Sequence, residues 1–101
     1  MNELDRLHVP AEALAALCRE FGVIELSAFG SVLRADFRPD SDVDLLVLFD
    51  KNLPVGLFHI LRLQQRLTAL LGRPVDLVPK LGLKPLIRDQ VLASARRLYA
   101  A

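Results

Sequence analysis

Gly30 and Ser31 stand ten residues ahead of Asp42-Val43-Asp44, and an apolar run, Leu45–Phe49, follows at once. These residue types at this spacing suit chemistry on a phosphate. Side chains of a strand alternate faces, so Asp42 and Asp44 project to the same side, roughly 7 Å apart along the backbone. Two carboxylates so placed can close on one divalent cation. Hard oxygen donors suit Mg²⁺, which is held by one or two carboxylates together with substrate phosphates. Gly30 lets backbone approach a ligand closely. Ser31 offers a hydroxyl and an N–H where a strand gives way to a helical turn, a place that favours anions. The segment therefore predicts a phosphate site beside a metal site.

The elements that position these residues follow from the apolar spacing. Pro10 opens a helix running to about Phe21, with Leu14, Leu17, Cys18 and Phe21 on one face and Gly22 as its stop. Val23–Phe29 reads as a strand ending at Gly30. Ser31–Ala35 reads as a short helical turn, and Asp36–Ser41 carries loop chemistry. Val43–Phe49 is a second strand, apolar enough to be covered on both faces. Val55–Leu71 predicts a helix with an apolar core stripe that includes Leu57, Phe58, Leu61, Leu63 and Leu67. Pro74–Val78 is a third short strand, and Asp76 is its only acidic residue. Lys84–Arg97 is expected to be mostly helical, with Leu86, Ile87, Val91 and Leu92 buried, before a short apolar tail, Leu98–Ala101. The expected architecture is α/β (α+β): a small mixed sheet of three or so strands with helices packed on one side.

Length and composition bound the rest. A chain of 101 residues fits one domain, taken here as 1–101, with little room for a second substrate module. Half the residues are hydrophobic and a quarter charged, as in soluble globular domains. The net charge of +1 is scattered, which argues against a dedicated nucleic-acid surface. Cys18, the only cysteine, falls in a helical apolar pattern and reads as a core thiol. His8 and His59 have no partners at ligand spacing, and Tyr99 reads as a packing residue. Met1–Leu7 is polar and mixed in charge, unlike a secretory leader, and no apolar run is long enough for a membrane span. A cytoplasmic protein is expected.

The segment Gly30-Ser31-Val32-Leu33-Arg34-Ala35-Asp36, with Pro39-Asp40-Ser41-Asp42-Val43-Asp44-Leu45-Leu46-Val47, resembles the signature of the minimal nucleotidyltransferases. These belong to the DNA polymerase beta-like superfamily. The resemblance extends to Pro74-Val75-Asp76-Leu77-Val78 and Lys84–Leu92, and so covers nearly the whole chain. It implies that Gly30 and Ser31 hold a triphosphate, that Asp42 and Asp44 bind Mg²⁺, and that Asp76 is a third carboxylate facing the attacking hydroxyl. Arg34 has two readings, a phosphate contact or an ion pair with Asp36 or Asp40. Ala35 stands where many relatives have Gly. The resemblance further implies an antitoxin paired with an all-helical HEPN-type ribonuclease toxin in a hetero-oligomer, AMP passing from ATP to a tyrosine hydroxyl of that toxin. Two other functions are weighed beside it: neutralisation of the toxin by binding alone, and nucleotidyl transfer to a small molecule or an RNA end.

Overall fold

The structure, a computed structural model, describes residues 9–30 and 42–101. The expected turn at Ser31–Ala35, the loop at Asp36–Ser41, and the residues His8, Ser31, Arg34 and Ala35 lie outside the described residues.

Helix α1 spans Ala11–Phe21 and ends at Gly22, whose φ of 73° lets the chain reverse into strand β1, Val23–Phe29. Pro10 stands just before the helix, and its carbonyl accepts from the Leu14 N–H at 2.9 Å. Strand β2 is Val43–Phe49, helix α2 is Leu57–Leu71, and strand β3 is Val75–Pro79. A 3₁₀ turn at Lys80–Gly82 leads to helix α3, Pro85–Ser94, and then to strand β4, Arg96–Ala100. The strands form one mixed sheet in the order β3-β2-β1-β4. β1 is antiparallel to both β2 and β4, and β2 is parallel to β3.

One face of the sheet carries the core. Leu26 and Ala28 of β1, Val43, Leu45 and Val47 of β2, and Val75 and Leu77 of β3 pack with Leu14, Leu17, Cys18 and Phe21 of α1 and with Leu63, Leu67 and Leu71 of α2. The alternation that buries these residues sends Ser27, Asp44, Leu46 and Asp76 to the opposite face. Leu46 is itself buried there, so the middle of β2 is covered on both sides, as its apolar run predicts.

The structure corrects the expected pattern in three places. The sheet has four described strands because Arg96–Ala100 leaves the helical path at Ala95, whose backbone is extended, and pairs with the edge of β1. A ladder of hydrogen bonds along an open strand edge outweighs the modest helical preference of Arg96 and Arg97. The second correction concerns α3. It has no buried residue, and Leu86 is 94% exposed. Leu92 and Ala95 overlook Leu46 on the face opposite α1 and α2, so the helices are not all on one side. The third lies in α2, where only Leu63, Leu67 and Leu71 are buried. Phe58, five residues before Leu63, is turned to the far side of the helix at about 100° per residue and is 78% exposed.

The outer edge of β3 is closed from within the fold. The Val75 N–H donates to Thr68 Oγ1 at 3.3 Å, and the Leu77 N–H donates to Gln64 Oε1 at 3.2 Å. Gln64 and Thr68 are one helical turn apart on α2, so they meet alternate residues of the strand.

Candidate active site

The site gathers where β1 ends and β2 and β3 begin. Asp44 is paired in register with Phe29 of β1 on one side and with Asp76 of β3 on the other. Neighbouring strands run about 4.8 Å apart, so Asp44 and Asp76 are adjacent carboxylates on the face away from the core. Asp42 lies one residue before β2 and is exposed. The entry of the strand is pinned by the Val43 N–H, which donates to the Pro74 carbonyl at 2.9 Å. Asp44 is half-buried and Asp76 is exposed.

Gly30 closes the arrangement from the β1 side. Its φ is 72°, a conformation that side chains with a Cβ adopt at a cost. A Cβ at this position would also collide with Oδ2 of Asp44. The absence of a side chain therefore lets the β1 terminus lie directly against the Asp44 carboxylate. Of the residues expected from the sequence, the structure brings Gly30, Asp44 and Asp76 together and puts Asp42 at the rim. Ser31 and Arg34 lie outside the described residues.

Asp42 and Asp76 are exposed at the surface, and Asp44 is half-buried between them and Gly30. Among the described residues no three His, Cys, Asp or Glu side chains are closed into a ready metal cage. Mg²⁺ keeps several waters and takes substrate phosphates as ligands rather than an all-protein shell, so the adjacent carboxylates of Asp44 and Asp76 are donors of the kind it uses. The hard carboxylate oxygens of Asp42, Asp44 and Asp76 are the donors this cation prefers.

Other side chains singled out by type have structural surroundings. His59 Nε2 is 2.7 Å from the Phe21 carbonyl oxygen, and the ring packs against Phe21 and Phe49 at centroid distances of 5.1 and 5.4 Å. Cys18 is fully buried, and burial pushes its thiol up from 9.0 to about 11, against a smaller lowering by Arg19. A groove of about 460 Å³ lined by Glu20, Phe21, His59, Arg62, Gln65 and Arg66 lies on the helical side, away from the carboxylates. One group on the carboxylate face stands outside the expected site residues: Glu25, bridged to Lys80 at 2.8 Å and to Arg97 at 3.8 Å. The trace left in the sequence is Ser27, a polar residue inside an otherwise apolar strand end.

Comparison with known proteins shows the family. Residues 11–98 match the nucleotidyltransferase domain family, and the chain belongs to that family. It is 46% identical over 76 residues to the protein adenylyltransferase MntA of Thermococcus cleftensis, covering 75% of each chain. A solved structure described as a minimal nucleotidyltransferase is 42% identical, with a TM-score of 0.73 over 94% of both chains. A complex of a tri-AMPylated HEPN toxin with MNT antitoxin from Shewanella oneidensis contains a chain of the same fold. That chain is 22% identical, with a TM-score of 0.64 over 90% of this chain and 70% of its own.

Proposed function

We propose that this chain is a Mg²⁺-dependent protein adenylyltransferase that moves AMP from ATP to a hydroxyl, by resemblance a tyrosine, of a HEPN-type toxin, and so acts as its antitoxin. The observation that carries this is the pairing of Asp44 with Asp76, with the Asp44 carboxylate packed against the side-chain-free Gly30. The 46% identity to the protein adenylyltransferase MntA of Thermococcus cleftensis supports a protein acceptor. In the transfer, the acceptor oxygen bonds to the α-phosphorus while the bond from that phosphorus to the bridging oxygen breaks. Pyrophosphate leaves with that electron pair, and the hydroxyl proton passes to Asp76 or to water. Asp76, on the edge strand and exposed, is the carboxylate that an acceptor reaches from outside the sheet. Held by Asp42, Asp44 and Asp76, Mg²⁺ would supply charge neutralisation at the attacking and leaving oxygens. Gly30, Ser31 and Arg34 are assigned to the phosphates.

The test mixes the purified chain with α-labelled ATP, Mg²⁺ and a HEPN-type toxin. The expected result is label on the partner and a mass increase of one or more adenylyl groups in the intact protein. Neutralisation that persists without ATP, and equally in Asp42→Asn, would replace this reading with neutralisation by binding alone.

A further inference from the structure

A cleft of about 270 Å³ opens on the same sheet face as the carboxylates. Ser27 and Leu46 form its floor, and both are buried. Leu92 and Ala95 from the end of α3 form one wall, and Glu25, Lys80 and Arg97 form the charged rim. Ser27 is paired with Leu46, and Asp44 is two residues before Leu46 on the same strand face. The cleft therefore begins roughly 7 Å along the sheet from Asp44, on the side away from Gly30.

Three features fit a ligand. Ser27 is the one polar side chain among the described buried residues, and it lies at the base of a cavity. The rim holds two cations against one carboxylate, an excess of positive charge suited to the electron-rich face of a base or to an anionic group. The volume is close to the lower end of the roughly 300–1,000 Å³ found for small-molecule sites, which suits part of a nucleotide rather than all of it. With phosphates at Gly30 and the reacting phosphorus over Asp44, the remaining part of the molecule lies in line with this cleft.

We infer that the cleft between α3 and the sheet takes the nucleoside half of the nucleoside triphosphate, with Leu46, Leu92 and Ala95 against the base or sugar, the Ser27 hydroxyl as a polar contact and Arg97 over the ring. This rests on the nucleotidyl-transfer reading and adds to it the residues that set nucleoside affinity. α3 has no buried residue, so it can shift to admit a ligand without dismantling the core.

Calorimetric titration with ATP and with inorganic tripolyphosphate, each with Mg²⁺, separates the two halves of the ligand. Ala95→Trp fills the cleft from an extended, half-buried position on its wall. It is expected to weaken ATP binding at least about tenfold while tripolyphosphate stays within about twofold of wild type. Leu92→Ala, at a side chain already 38% exposed, removes one wall without adding bulk. It is expected to weaken ATP roughly three- to tenfold, again sparing tripolyphosphate. Wild-type ATP affinity in both variants, or parallel loss of both ligands in both variants, would overturn the assignment. A wild-type chain that binds neither ligand would instead remove the nucleotidyl-transfer reading beneath it.

Discussion

A methyl group has no room at Gly30, because the space is taken by the Asp44 carboxylate and the backbone there has positive φ. Gly30→Ala is expected to cost about 1–2 kcal/mol for the left-handed backbone alone. It should also displace Asp44, so AMP transfer should fall well beyond what the lower melting temperature accounts for. Thermal melts and label transfer on the same preparation check both. Asp42→Asn and Asp44→Asn are each expected to lower Mg²⁺-dependent transfer at least about 10²-fold, the scale of losing several kcal/mol of charge stabilisation. Asp76→Asn should reduce kcat while ATP affinity stays within about threefold, because a group used mainly in the transition state acts there. A titration showing that Asp76→Asn removes ATP binding, with kcat intact at saturation, would contradict the role given to Asp76.

Helix α2 does two jobs for the sheet. Its buried leucines anchor the core, and its Gln64 and Thr68 side chains satisfy the outward N–H groups of β3. β3 carries Asp76, so the position of that carboxylate depends on a helix packed behind the strand. Thr68→Ala and Gln64→Ala are each expected to cost about 1 kcal/mol, the penalty of a strand N–H left without its partner. Leu63→Ala and Leu67→Ala, at fully buried positions, should cost about 2–5 kcal/mol. Phe58→Ser, on the exposed side of the same helix, should stay within about 0.5 kcal/mol. Urea midpoints across this set test whether the burial seen along α2 is the burial that stabilises it. A loss at Phe58 equal to that at Leu63 would refute the orientation of the helix.

At the scale of the molecule, Cys18 reports on the integrity of the core. Its thiol is held neutral by burial, with the folded value near 11 against 9.0. The folded state therefore binds more protons than the unfolded chain between these values. The stability linked to Cys18 is fully present below pH 9 and declines as the pH rises from 9 towards 11. A thiol reagent at pH 8 is expected to label Cys18 only as fast as the chain unfolds, so labelling should follow the urea unfolding curve. Rapid labelling of the native protein would show that the α1–sheet contact opens far more often than a packed core allows. Much of this architecture is legible in the residue pattern. The α1 stripe, the β1 and β2 boundaries and the pairing of a turn glycine with an Asp-x-Asp strand are local, and steric preference and side-chain alternation write them directly into the chain. The fourth strand is not legible, because Arg96–Ala100 becomes a strand only where β1 offers an unfilled edge. The exposure of Leu86 and Phe58 is hidden for a related reason: apolar type records a tendency to be buried, while the neighbours that bury it come from elsewhere in the chain. The sequence by itself determined the candidate carboxylates, Asp42, Asp44 and Asp76, and the turn glycine, Gly30, since their chemistry and spacing are intrinsic to the residues. Only the tertiary structure decided that Asp76 is registered against Asp44, that Gly30 must lack a side chain to admit that carboxylate, and that Ser27 floors a cleft beside them. Those relations join residues far apart in the chain, and hydrogen-bonded register between strands fixes them.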